Sequence, residues 1–300
     1  MDNIRGSAWM VLAMMGFAVE DTLLKTATAA VPVGQTLMLF GIGGTLLFLV
    51  LTWQRGEKAL VRSAMTPTLF TRAAFEIAGR LFFLLSLAFT SLSSTSAILQ
   101  ATPLAVTLGA AVLFGEHVRW HRWFAIVIGF AGVLLVIKPS AEAFELTSIF
   151  AVIGMIGFAG RDLATRAAPP ALSNMQLGVY GFAVLIPTGG AYALWTGGFV
   201  LPDLISGTAI FIATFIGVGA YYSITVAMRT GEVSVVTPFR YSRLLFGLFL
   251  GAVIFGERPD MMTLGGSAVI VASGVYILLS MRQSPRAVSA TKETLVSSRD

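Results

Sequence analysis

The sequence predicts an all-α integral membrane protein with ten transmembrane helices in two inverted five-helix repeats. Three observations carry that prediction. First, 56% of the 300 residues are hydrophobic and 12% are charged, about half the charged share of a soluble domain. Second, the apolar residues fall into ten blocks, each close to the ~20 residues that cross a bilayer. Third, two motifs recur at one offset. "MMGFAVED" at 14–21 returns as "MIGFAGRD" at 155–162, so Asp162 follows Asp21 by 141 positions. "LFGE" at 113–116 returns as "IFGE" at 254–257, and Glu257 follows Glu116 by the same 141. Lys25 and Arg166 share that offset.

In chain order the blocks lie at about 7–29, 34–53, 69–90, 94–114, 121–138, 145–166, 173–196, 205–228, 232–255 and 261–281. The first is expected to be a retained helix, because "MDNIRGSAWM" carries no cleavage pattern and the apolar run that follows is of full spanning length. The connections are short; the longest polar one, "WQRGEKALVRSAMTPTL", follows the second block and leaves no room for a soluble domain. The expected division is an N-terminal repeat at 1–138, a C-terminal inverted repeat at 139–281 and a polar cytoplasmic tail at 282–300. Five helices per half is odd, so the second copy enters the membrane from the opposite side. Inverted repeats of this kind are a signature of secondary transporters. Lys and Arg in the loops set the orientation. One side receives Arg5, Arg55, Lys58, Arg62, Arg72, Arg119, Arg122, Arg229 and Arg282, and the other only Lys138 and Arg258. Both termini are therefore expected in the cytoplasm.

Composition also excludes several classes. The net charge is +5, but the basic residues are scattered between apolar blocks, so no nucleic-acid partner is expected. The absence of cysteine rules out disulfides and thiolate metal sites. No Gly-Lys dipeptide exists, hence no P-loop, and neither G-x-S-x-G nor HExxH occurs. His117 and His121, the only histidines, lack a third ligand nearby in sequence. No cofactor, no metal and no enzyme activity are expected.

A charge near the bilayer centre costs at least about 2.5–3.5 kcal/mol, so such residues face the bundle interior and pair. Glu76 and Arg80 are spaced i, i+4 with the acid first, which places them on one helix face. They read either as a self-neutralising pair or as a holder for a charged end of the substrate. Arg240 and Arg243, spaced i, i+3, also share a face. Their partners are acids of other helices (Glu20, Asp21, Glu76 or Asp162) or a substrate carboxylate gripped by two parallel hydrogen bonds. Glu20 aligns with Arg161 across the repeat, and Asp21 with Asp162. These four form the expected gating or coupling set, with gate salt bridges or packing preferred over a proton-carrying acid. Pro103 in "LQATPL" removes a backbone bond from the fourth helix and frees a carbonyl near Gln100 and Thr102. Tyr221, Tyr222 and Tyr241, with Phe82 and Phe83, either line an aromatic-tolerant pocket or fill the core. The expected cavity set is Glu76, Arg80, Gln100, Pro103, Tyr221, Tyr222, Arg240, Tyr241 and Arg243. Gly247 with Gly251, and the stripe Gly154, Gly157, Gly160, are expected to let helices approach closely.

Ten helices in two halves, "FGE" closing the fourth and ninth, and "PFRYSRLLFGLFLGAVIFGE" at 238–257 resemble the drug/metabolite transporter superfamily, and specifically its EamA-type members. The chain looks closest to bacterial exporters of aromatic and other amino acids. The resemblance implies a central cavity lined by helices 3, 4, 8 and 9, with 1 and 6 nearby. It also implies a monomer in the bacterial inner membrane, in contact with lipid, moving a small molecule by alternating access. One departure is that Pro103 precedes Gly115 by 12 residues while Pro238 precedes Gly256 by 18. The halves are therefore not equivalent around the expected site. The alternatives are a transporter of another metabolite (a vitamin, a nucleoside-like compound or a drug-like cation) or a membrane-embedded enzyme or scramblase. A cationic cargo would need net acid in the cavity, and helices 3 and 9 hold more arginine than acid.

Overall fold

The computed structural model describes residues 2–89, 95, 98–137, 148–255 and 261–282, and all regular structure among them is helical. The ten helices are α1 (Asp2–Thr28), α2 (Val33–Gln54), α3 (Pro67–Phe89), α4 (Thr102–Phe114), α5 (Trp120–Ile137) and α6 (Ser148–Arg166), then α7 (Asn174–Ala183 continued by Leu185–Thr196) and α8 (Leu204–Thr230), then α9 (Val233–Val236, a 3₁₀ turn Thr237–Tyr241 and Ser242–Phe255) and α10 (Met261–Arg282). Five stretches are long and apolar enough to cross a membrane: Asp2–Thr28, Val33–Gln54, Asn174–Thr196, Leu204–Thr230 and Val233–Leu250. α3 has the length, but Arg72, Glu76 and Arg80 interrupt its apolar run.

Local chemistry sets the ends and breaks. Ser173 caps α7 in a capping box with Gln176, and the Asp203 carboxylate caps α8 by accepting from the Ser206 N–H at 3.1 Å. That bonding holds the Asp203 carboxyl below its ordinary range. Gly115, at φ +63°, stops α4 in the left-handed conformation that glycine adopts at no steric cost. Pro187 lacks an N–H and falls just after the break in α7 at Val184; Pro238 sits in the 3₁₀ turn that divides α9. Pro103 corrects an expectation. It lies in the first turn of α4, where a missing N–H costs nothing, rather than inside a continuous helix. The carbonyl it would have bonded, that of Leu99, instead accepts from the Thr102 hydroxyl at 2.5 Å.

The exterior is apolar. Leu46, Phe70, Leu108, Val112, Phe124, Phe211 and Leu264 are all exposed, as a lipid-facing surface requires. Trp53, Trp120 and Trp195 are exposed at helix ends, the level at which tryptophan sits in membrane interfaces.

Packing follows the repeat. α1 packs most extensively on α8, and α6 on α3. Renumbering each helix by five converts one pair into the other. The same operation relates α1 on α9 to α6 on α4, and returns α2 on α7 and α5 on α10 to themselves. The crossing points obey the 141-residue offset as well. A Cβ on Gly16 of α1 would lie 2.8 Å from Ala220 Cβ of α8, and a Cβ on Gly157 of α6 would lie 2.3 Å from the Gly79 N of α3. Gly157 follows Gly16, and Ala220 follows Gly79, by 141 positions each. The stripe on α6 thus lies along α3, with Gly154 against Phe83 and Gly160 against Phe75. Gly247 differs from expectation, since nothing lies within 4 Å of a Cβ there. Gly256 and Glu257 of the second "FGE", with Lys138 and Arg258, lie outside the described residues.

Hydrogen bonds identify the bundle face that holds the start of α1. There Glu116, just past α4, accepts from the Ser234 N–H (3.1 Å) and hydroxyl at the start of α9. Arg122 of α5 donates to Ser234 Oγ at 2.9 Å and pairs with Glu232. The Glu232 N–H donates to Asn3 of α1 at 2.8 Å. Arg229 at the end of α8 donates to the Leu172 carbonyl (2.8 Å) and to Asn174 (2.7 Å), at the start of α7. On the opposite face the Gln35 amide bonds the Val200 backbone at 2.7 and 2.8 Å. The helix ends therefore alternate faces along the chain, as ten crossings demand.

Candidate functional site

α1, α3, α6 and α9 bring nine charged side chains together in the bundle centre, joined by Tyr221 of α8. Their pairing could not be read from spacing alone. Arg80 Nη1 of α3 donates to Glu20 Oε1 of α1 at 2.5 Å, whereas Glu76, one turn away on Arg80's own helix, lies 3.8 Å from Arg80 Nε. Glu76 turns instead toward α6 and α8. Its Oε1 is 3.5 Å from Arg161 Nη1, and its Oε2 accepts the Tyr221 hydroxyl. Arg161 also grips its neighbour Asp162 through Nε at 3.0 Å and Nη2 at 2.8 Å. The other Asp162 oxygen accepts from Arg240 of α9. Arg243, three residues on, holds Asp21 of α1, with Nε at 2.9 Å and Nη2 on the same oxygen. Glu20, Glu76, Arg80, Arg161, Asp162 and Arg240 are buried, while the Asp21 and Arg243 side chains keep 15% and 21% of their surface exposed.

Aromatic faces surround the guanidinium groups. Arg80 lies over Phe40 at 5.3 Å and Phe17 at 5.7 Å; Arg243 lies 5.5 Å from both Phe17 and Phe83; Arg161 lies 5.0 Å from Phe158. Phe17 and Phe158 are repeat equivalents, 141 positions apart. A ring face attracts a cation, and more so once water is excluded.

Arg72 departs furthest from expectation. Counted from sequence among the loop residues, it is buried five residues into α3, about 8 Å along the helix. Its Nε donates to Thr165 at 2.9 Å and its Nη2 to the Tyr221 hydroxyl at 2.7 Å. Five arginines (Arg72, Arg80, Arg161, Arg240, Arg243) thus face four acids (Glu20, Asp21, Glu76, Asp162), and Arg72 is held by neutral oxygens. The one sequence signal for Arg72 was its i, i+4 spacing from Glu76.

Other expected cavity residues lie elsewhere. Tyr241 is turned toward α5, donating to the Ile126 carbonyl at 3.1 Å and packing on Val133 and Ile270. Tyr222 meets Trp9 edge-on at 5.9 Å and carries Arg55 over its ring. Gln100 is buried in the turn before α4, and Pro103 is buried in its first turn. α4 contributes none of the nine charges, and α1 and α6 contribute four. Phe82 packs on Phe150 between α3 and α6. Among the described residues no group of three potential metal ligands exists.

A lipid-facing exterior around a buried, charged centre defines a multi-pass membrane protein. Residues 4–138 match the EamA-like transporter family, the family that the sequence resembles. Relatives extend over the whole length. A riboflavin transporter of Rhizobium johnstonii is 23% identical over 91% of this chain and 90% of its own. An S-adenosylmethionine uptake transporter of Rickettsia bellii is 22% identical over 93% and 95%. The pseudopaline exporter CntI of Pseudomonas aeruginosa is 26% identical over 89% and 93%. A solved crystal structure, 17% identical, matches 91% of this chain and 99% of its own with a TM-score of 0.77, which fixes the fold. The class is a multi-pass membrane transporter of small molecules.

Proposed function

We propose that the chain exports amino acids, aromatic and other largely uncharged ones, across the bacterial inner membrane by alternating access. One observation carries this reading. The buried cluster offers both signs of charge, which a zwitterion needs, beside the ring faces of Phe17, Phe40, Phe83 and Phe158. The excess of arginine over acid speaks against a cationic cargo. A pseudopaline exporter among the relatives supports export, and uptake transporters stand beside it. In this reading Glu76, Arg80, Tyr221, Arg240 and Arg243 contact cargo, and Glu20, Asp21, Arg161 and Asp162 couple the two sides.

The face with Arg55, Lys58, Arg62, Arg119, Arg122 and Arg229 is assigned to the cytoplasm, with both termini, by the positive-inside rule. Its hydrogen-bonded latch and the partial exposure of Asp21 and Arg243 support a state closed to the cytoplasm. The halves 1–138 and 139–281 are the units of duplication, and the working form is a monomer in lipid. Efflux tests the proposal. Cells preloaded with labelled phenylalanine and then de-energised for ATP should lose label faster when the chain is expressed. Equal loss, across a panel of amino acids, contradicts it.

A further inference from the structure

Among the described residues, seven buried side-chain nitrogen or oxygen atoms lack a hydrogen-bond partner, and five of them belong to Glu20, Asp21, Glu76 and Arg80. Buried polar groups are paired as a rule, so a concentration of exceptions at one place needs a cause. The five atoms sort by kind. Glu20 Oε2, Asp21 Oδ1 and Glu76 Oε1 are acceptors; Arg80 Nε and Nη2 are donors.

The two donors form one edge of the guanidinium. Arg161 and Arg243 show what that edge does elsewhere in the cluster. Arg161 directs Nε and Nη2 at Asp162, and Arg243 directs Nε and Nη2 at Asp21. In Arg80 the same edge makes no hydrogen bond, because Glu20 is taken by Nη1 and Glu76 stays 3.8 Å away. An arginine edge suits a carboxylate, which it grips through two parallel bonds. The acceptors suit the opposite charge, since an ammonium group brings three N–H donors and accepts nothing. Glu20 and Asp21 are adjacent on α1, each with one oxygen engaged by an arginine and one unpaired. Phe17 and Phe40 flank Arg80, and Phe17 also faces Arg243.

We propose that Arg80, Glu20 and Asp21 form the head-group site for an α-amino acid: the Nε–Nη2 edge of Arg80 takes the carboxylate, and Glu20 Oε2 with Asp21 Oδ1 takes the ammonium. This rests on the amino-acid reading and narrows it, since the cargo must carry both groups on one carbon. The Asp21 side is the partly exposed one, so in this state cargo held at Arg80 leaves past Asp21 and Arg243.

The test uses the purified full chain in nanodiscs and three ligands of one shape: L-phenylalanine, phenylethylamine without the carboxylate, and 3-phenylpropionate without the ammonium. Calorimetry should give phenylalanine at least tenfold tighter binding than either analogue. Arg80→Lys keeps the charge but loses the edge. It should weaken phenylalanine tenfold or more while leaving phenylethylamine within about twofold. Glu20→Gln should weaken phenylalanine and phenylethylamine but not 3-phenylpropionate. A merely structural role would shift all three ligands together. If either analogue binds the wild-type chain within threefold of phenylalanine, the head-group site is wrong and export can still stand. If no amino acid of a panel binds or is carried, the export reading fails, and this site with it.

Discussion

Asp21 and Asp162 hold the same position in the two halves of the chain, and Arg243 and Arg240, three residues apart on α9, hold one each. The duplicated acids are thus tied to a helix that belongs to one half only. That helix is also the one divided by a 3₁₀ turn, at Thr237–Tyr241, and Arg240 lies in the turn. Mid-helix 3₁₀ segments mark hinges or strain. The asymmetry predicted from Pro103 and Pro238 therefore reaches the ion pairs themselves.

The two aspartates should differ in stability cost. Asp162 accepts from Arg161 and Arg240 and is buried, whereas Asp21 accepts from Arg243 and is partly exposed. Breaking a buried pair from one side costs about 3–5 kcal/mol, because the other charge is stranded. Asp162→Asn should fall in that range and Asp21→Asn below it, by thermal unfolding in detergent. An equal or reversed order would contradict the assigned pairings.

Tyr221 is expected to act through its hydroxyl. It accepts from Arg72 and donates to Glu76, while its ring packs on Phe48 and Phe182. Tyr221→Phe keeps the ring and should cost about 1.5–3 kcal/mol, the range for a hydrogen bond to a charged group. Chemical denaturation checks this, and a cost near zero would remove Tyr221 from the charged cluster.

Glycine substitutions separate crossing points from open surface. Gly157→Ala places a methyl against the Gly79 backbone and should destabilise strongly, since backbone on both sides cannot yield. Gly16→Ala meets a side-chain methyl and should cost less. Gly247→Ala meets nothing and should lower the unfolding free energy by no more than about 0.5 kcal/mol.

Orientation is directly measurable because the chain has no cysteine of its own. A membrane-impermeant maleimide should label Gly56→Cys only from the cytoplasmic side. It should label Leu201→Cys, at a position 98% exposed on the opposite face, only from outside. The reverse pattern would invert the topology.

Much of the architecture was legible because the bilayer leaves few choices. Apolar blocks of spanning length became helices, and the offset read from two short motifs recurs at Gly16 with Ala220 and Gly157 with Gly79, where helices cross. The "FGE" motif gained a mechanism at its first copy: Gly115 ends α4 and Glu116 crosses to the start of α9. Partner choice was not legible. Arg80 and Glu76 share a face, yet each finds its shorter contact on another helix, because helix packing and not spacing brings side chains of α1, α6 and α8 within reach of α3. Arg72 was misplaced because hydropathy cannot distinguish a buried charge near a helix start from a loop charge. Tyr241 sits beside Arg240 in sequence but turns to α5, since successive helical residues point about 100° apart.

The central claim is that the buried cluster moves an amino acid across the membrane. Its most direct test is the purified chain in liposomes without ATP, loaded or challenged with labelled phenylalanine or tryptophan. The account predicts flux above that of empty liposomes, reduced at least tenfold by Arg80→Ala. Flux no greater than empty liposomes for every amino acid in a panel would contradict it.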